Sequence, residues 1–172
     1  MPNQTNLAYV SYSDNPQLNI EYTTGVGVIG AGYWGPKMAR TFNAQDNTRV
    51  VAVCDVNPDK MRPFRALDPQ IGCYGDYRDL LSNSKVKAIA ISVTDPARYA
   101  IANAALNNGI HVIVEECESA GESEMTSLRE NAEARGLSLS IVAFPNGGIV
   151  GGTLPEDVEL EMKNFLSSIE AD

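Results

Sequence analysis

Histidine is almost absent from this chain: His111 is the only one. No His-based acid/base pair and no multi-histidine metal site can therefore form within one copy. Cysteine is scarce and odd in number, with Cys54, Cys73 and Cys117 scattered along the chain. That pattern fits reduced thiols in the cytosol, and cytoplasmic residence is the expectation. No Lys or Arg precedes Lys37, so a secretory n-region is not expected. No apolar run approaches the ~18 residues of a membrane span. A formal charge of −9 argues against nucleic acid as a partner, because phosphate binding depends on Lys and Arg. Internal repeats and low-complexity tracts are missing too. What remains is 172 residues, 44% hydrophobic and 20% charged, the size and make-up of one globular domain with a respectable core.

The most informative segment is Val26-Gly-Val-Ile-Gly-Ala-Gly-Tyr-Trp-Gly35. A short apolar run, then Gly30-Ala-Gly32-Tyr33-Trp34-Gly35, then an amphipathic stretch predicts strand, tight turn and helix. Gly30 allows the sharp turn, Gly32 lets a pyrophosphate approach the backbone, and Gly35 lets the helix pack closely on the strand. The helix N-terminus then offers N–H groups and a positive dipole end to phosphates. Asp55 closes a second apolar run, Arg49-Val-Val-Ala-Val-Cys54. At that strand tip a carboxylate takes the adenosine ribose hydroxyls. A lone glycine motif says little; strand, glycines, helix, strand and acid in this order say much more.

From residue 25 apolar runs alternate with amphipathic segments. Strands are expected at 26–30, 49–54, 71–73, 88–93, 111–114 and 139–143. Helices are expected at 34–44, 58–66, 76–82, 97–108 and 121–135, the second of them poor because Pro63 sits inside it. Gly109 and Gly136 end two helices in the manner of C′ glycines. The continuous apolar strands 87–93 and 111–114 suit a parallel sheet covered on both faces. The expected fold is α/β, a doubly wound parallel sheet of Rossmann type over 25–144. Its crevice should open at the C-terminal strand ends, beyond Gly30, Asp55, Val93 and Glu115. Residues 1–24 read as an N-terminal extension, hairpin or disordered. The glycine-rich stretch 145–152 reads as a connector, and 153–172 as a helix whose Leu154, Val158, Met162, Phe165, Leu166 and Ile169 recur at helical spacing. That stripe must cover this domain or another copy, and a homodimer with the helix at or near its interface is expected.

From about Val26 to Phe144 the chain resembles the dinucleotide-binding domain of the glucose-fructose oxidoreductase / inositol dehydrogenase / rhizopine-catabolism (Gfo/Idh/MocA) family. The carrying residues are the glycine segment, Val51-Ala-Val-Cys-Asp55, Tyr74-Gly-Asp-Tyr-Arg-Asp-Leu-Leu81 and Ala102-Asn-Ala-Ala-Leu-Asn-Asn-Gly-Ile-His-Val-Ile-Val-Glu115. The resemblance implies a nicotinamide dinucleotide fold and, in complete members, hydride transfer at a hydroxyl carbon of a sugar or cyclitol. Two departures follow. The family's Glu-Lys-Pro reads Glu115-Glu116-Cys117 here, so Glu116 stands where the family has the Lys that polarises substrate. The family's Thr-Pro-x-x-x-His reads Val93-Thr94-Asp95-Pro96-Ala97-Arg98, so Arg98 stands at the His. Only 28 residues follow Phe144, so no counterpart of the family's substrate domain is expected.

The implied cofactor is NAD, held by Gly30, Gly32, Tyr33, Trp34, Gly35, Asp55, Val93, Thr94 and Glu115. Asp55 with no basic residue beside it should disfavour a 2′-phosphate. Catalysis should be weak or partner-dependent, with no catalytic residue assignable beyond the position of Glu116. The alternatives are a working dehydrogenase completed by a second subunit, and a redox-sensing or scaffolding protein that keeps the dinucleotide as ligand. Glu115, Glu116 and Glu118 read as an acidic rim rather than a metal site, Cys117 as an inert thiol among acids, His111 as structural, and Arg98 as a helix-surface residue.

Overall fold

A computed structural model describes residues 24–144 and 153–170. The 1–23 part of the expected extension and the whole 145–152 connector lie outside them. Six parallel strands form one sheet: β1 (Thr24–Ile29), β2 (Thr48–Cys54), β3 (Gly72–Tyr74), β4 (Ala88–Ile91), β5 (His111–Glu115) and β6 (Leu139–Val142). Their order is β3-β2-β1-β4-β5-β6, and every neighbouring pair is parallel. The chain runs outward from β1 to β3, then returns beside β1 as β4 and runs out the other way. The order reverses between β1 and β4, and such a switch point opens a crevice at the carboxyl ends.

Helices α1 (Gly35–Asn43), α2 (Arg62–Leu67), α3 (Tyr77–Leu81), α4 (Ala97–Asn107) and α5 (Glu122–Ala134) join the strands. All six expected strands are present, with ends shifted by one or two residues. Gly109 and Gly136 follow α4 and α5 with φ of 74° and 65°, the left-handed conformation a helix stop needs. Pro63 breaks the expected 58–66 helix in two. A 3-10 turn covers Pro58–Met61, and α2 starts at Arg62 so that Pro63 falls in its first turn, where the missing N–H costs nothing.

Two apolar layers sandwich the sheet. One packs Met38, Phe42 and Phe64 from α1 and α2 on Val26, Val28, Val50 and Val53. The other packs Leu80, Ile101, Leu106 and Leu128 from α3, α4 and α5 on Ile89, Ile91, Val112 and Val114. The last helix, α6 (Glu156–Glu170), joins the first layer: Val158, Met162, Phe165 and Leu166 are all buried there. Each such side chain contributes roughly 1.5–3 kcal/mol by leaving water. The helix thus covers its own domain, beside α1, β5 and β6.

Candidate dinucleotide site

At the end of β1 the chain turns sharply, and Gly30 takes φ 99°. A Cβ there would lie 2.3 Å from the Ser92 carbonyl oxygen, so neither the dihedral nor the space admits another residue. Gly35 opens α1, and its Cβ would lie 2.1 Å from the Gly30 oxygen. Helix and turn therefore touch through bare backbone. A Cβ on Gly32 would meet nothing within 4 Å; this glycine faces open space at the mouth of the turn. Trp34 caps α1 without a side-chain hydrogen bond, and no acid occupies the first turn, which leaves the positive helix end available to an anion.

Asp55 follows β2 directly. Its Oδ2 accepts the Ala31 N–H at 2.9 Å and its Oδ1 the Asn57 N–H at 2.8 Å. The carboxylate thus pins the glycine turn to the tip of β2, while each oxygen retains a second lone pair for a hydroxyl donor. Trp34 stacks on Phe144, ring centroids 4.4 Å apart, and Tyr33 meets Trp34 edge-on at 4.8 Å. Lys37 lies 3.4 Å above the Tyr33 ring, so the turn is braced by aromatic contacts on its outer side.

A cleft of about 760 Å³ runs across these strand ends, within the range of small-molecule sites. Gly30, Gly32, Tyr33, Trp34, Asp55, Val93, Thr94 and Glu115 all line it. Gly35 does not; it is buried beneath the turn, where it acts by letting the helix approach. Glu116 is exposed on the rim and does not line the cleft; its main chain joins β6 through Val142. Lys60, Asp76 and Arg78 also line the Asp55 side. The sequence places no base next to Asp55, but the fold brings these two, and Arg78 is already paired with Asp76 at 3.0 Å.

The β4–β5 side corrects the expectation for Arg98. Its side chain is only 14% exposed and clamped on three sides. Nε donates to the Val93 carbonyl at 2.8 Å, Nη1 to the Glu116 carbonyl at 2.7 Å, and Nη2 pairs with Glu115 Oε2 at 2.8 Å. The residue is not a surface feature of α4 but a bracket between the loops after β4 and β5. Asp95 reinforces it by accepting the Ser119 N–H at 2.7 Å and the Ser119 hydroxyl at 2.6 Å. Ser119 holds the Asp95 carboxyl below its ordinary pKa, chiefly through that hydroxyl. Glu115 moves the other way, because burial outweighs the attraction of Arg98. Neither Asp95 nor Ser119 was singled out in the sequence; a pair 24 positions apart carries no spacing signal.

Cys54 and Cys117 are poor nucleophiles here. Burial, with help from Asp55, pushes Cys54 up to about 11, and burial also raises Cys117, as expected for an inert thiol. His111 accepts the Ser138 N–H at its Nδ1, 2.9 Å away, which ties β5 to the start of β6. Its role is structural.

Residues 24–142 match the oxidoreductase family Gfo/Idh/MocA, described as an NAD-binding Rossmann fold. The chain belongs to this family. An inositol 2-dehydrogenase/D-chiro-inositol 3-dehydrogenase of Lactiplantibacillus plantarum is 35% identical over 92 residues, 51% of this chain and 26% of that protein. Inositol 2-dehydrogenase of Salmonella typhimurium is 27% identical over 123 residues, 70% of this chain and 35% of that one. Among solved structures, GenD2 from gentamicin A biosynthesis in complex with NAD superposes with a TM-score of 0.64 at 19% identity. That match covers 69% of this chain and 34% of GenD2, and at such identity it speaks for the fold. The chain thus spans about a quarter to a third of the length of these relatives. No helix among the described residues is long and apolar enough to cross a membrane.

The site's residues fit the family's cofactor. An open Gly32 at an uncapped helix start suits a pyrophosphate, and a carboxylate at the tip of β2 suits ribose hydroxyls. NAD there would supply a hydride acceptor; the glycine turn would seat it and the Asp55 carboxylate would orient it.

Proposed function

We propose that the chain holds NAD(H) as the cofactor half of a sugar or cyclitol oxidoreductase. On this reading it turns over substrate weakly by itself, or only with a partner that completes the substrate side. The supporting observation is the contrast between the cleft and its rim. Gly30, Gly32 and Asp55 line its cofactor side, whereas Glu116, at the family's Lys position, is an exposed anion on the rim. A carboxylate opposes the negative charge that develops as a hydroxyl is oxidised. Arg98, which donates to the Glu116 carbonyl, is engaged with Glu115 and the Val93 carbonyl as well.

NAD(H) should be preferred over NADP(H), since Asp55 repels a 2′-phosphate and Asp76 offsets Arg78, with Lys60 alone pulling the other way among the residues that line this side. Calorimetry with NAD⁺, NADH, NADP⁺ and NADPH tests this. The expected result is binding of the first two, weakened about tenfold in Asp55→Ala, the loss of a charged hydrogen bond. Equal or tighter NADPH binding would sink the preference. A polyol and sugar screen should stay below roughly 1 turnover per second, an ordinary enzyme rate. The inositol dehydrogenases among the relatives make cyclitols the first compounds to try.

Cytoplasmic residence belongs to the same reading and is supported by three free thiols. So does a pair of copies. With α6 folded onto its own domain, what supports a dimer is the edge strand β6, bonded on one side to β5, with Leu139 and Ile141 half-buried. Light scattering of the full chain tests it, and a monomer at high micromolar concentration would refute it.

A further inference from the structure

The cleft has two electrically different ends. When a dinucleotide's pyrophosphate sits at the switch point, its second nucleoside lies over the other half of the sheet, here the ends of β4 and β5. Asp95, Glu115, Glu116 and Glu118 gather there with Arg98. Glu115 stands in the cleft wall with its side chain 18% exposed. Arg98 faces it at 2.8 Å, but the same guanidinium also serves the Val93 and Glu116 carbonyls. One cation is thus set against four carboxylates, and the surplus is negative.

We propose that this end of the cleft favours the oxidised over the reduced dinucleotide, with Glu115 setting the bias and Arg98 limiting it. The inference rests on the NAD(H) reading above and goes beyond it in naming the redox form. NAD⁺ and NADH share adenine, riboses and phosphates. They differ at the nicotinamide ring, which carries a positive charge when oxidised and none when reduced. A carboxylate near the ring therefore changes the affinity of one form and leaves the other almost untouched. Glu115 acts most because it is little exposed and little screened. Glu116 and Glu118 are exposed and act less. Arg98 subtracts from the field, so its removal and the removal of Glu115 have opposite effects.

Calorimetry of the full chain at pH 8 gives Kd for NAD⁺ and for NADH. The readout is the ratio Kd(NADH)/Kd(NAD⁺). It is expected above one, lowered roughly fivefold in Glu115→Gln and raised roughly fivefold in Arg98→Met, as Coulomb energies in a partly exposed site imply. If the pair merely braced the loops, both variants would weaken both forms alike and leave the ratio still. Should Arg98→Met fail to fold, Glu116→Gln on the exposed rim is expected to lower the ratio roughly twofold. A ratio equal in all variants, or moved the same way by Glu115→Gln and Arg98→Met, overturns the inference alone. A protein that binds neither NAD⁺ nor NADH overturns it together with the dinucleotide reading.

Discussion

On the β1–β2 side of the cleft, shape is made by backbone: Gly30 at φ 99°, Gly35 against the Gly30 carbonyl, and a turn pinned by one carboxylate. On the β4–β5 side it is made by side chains. Arg98 and Asp95 reach from the β4 loop and the start of α4 to Glu115 at the end of β5 and to Glu116 and Ser119 beyond it. The first construction tolerates no Cβ where backbone meets backbone. The second tolerates substitution as long as charge and reach are kept. A turn that must admit a pyrophosphate has little freedom to vary, whereas a loop bracket can be rebuilt with other polar groups. Substitutions on each side should therefore fail in different ways.

The largest effect belongs to the glycines, and they should not behave alike. Gly30→Ala and Gly35→Ala each drive a methyl group into a main-chain oxygen that cannot swing away. Each should cost more than about 3 kcal/mol in urea unfolding, the range of severe backbone clashes. Gly32→Ala enters open space and should stay within about 0.5 kcal/mol of the parent. It should nevertheless weaken NAD binding about tenfold or more, because on the proposed reading the methyl group stands where the pyrophosphate approaches. A Gly32→Ala protein that binds NAD normally would break the comparison at its strongest point.

A smaller effect is expected from the Arg98–Glu115 pair, and it should be lopsided. Arg98→Met leaves a half-buried carboxylate and two carbonyls without their donor. The expected loss is about 2 kcal/mol, below that of a fully buried pair. Glu115→Gln should cost less than half of that, since an amide oxygen still accepts from the guanidinium. Thermal unfolding of the two variants side by side measures the asymmetry, and equal losses would show that the bracket does not depend on Arg98's reach.

This contrast also explains what could be read from sequence. The sheet was legible because β1, β2, β4 and β5 are short apolar runs between turn residues, and because Gly30, Gly32, Gly35 and Asp55 stand at spacings that the turn itself imposes. Helix α6 was legible from its stripe, but not which surface it covers: spacing shows that a face is apolar, not where the chain returns. The place of Arg98 is hidden in the sequence for a related reason. A single Arg near the start of a helix has the same local pattern whether it faces water or a neighbouring loop. Only the fold brings Val93, Glu115 and the Glu116 carbonyl within its reach. The same holds for Asp95 and Ser119, and for Lys60 and Arg78 at the far end of the cleft.

The smallest effect is a pH dependence, and its sign can be worked out. The Ser119 hydroxyl and N–H donate to Asp95 and, with help from Arg98, lower its pKa in the folded state. A carboxyl whose folded pKa lies below its unfolded value adds stability above the unfolded value. It loses that stability as pH falls through the lowered one. The Asp95 contribution should therefore be complete at neutral pH and fade in the acid range below the usual carboxylate pKa of ~3.9. Asp95→Asn removes the charge while keeping an acceptor for Ser119. Parent and variant should differ in Tm at pH 7 and converge toward pH 3. Glu115, whose burial raises its pKa, contributes with the opposite sign: its ionisation weighs against the fold as pH rises through the raised value. Repeating both melts in a Glu115→Gln background isolates the contribution of Asp95. A gap between parent and Asp95→Asn that stays constant from pH 7 to pH 3 would mean that the hydrogen bonds to Ser119 act without regard to charge.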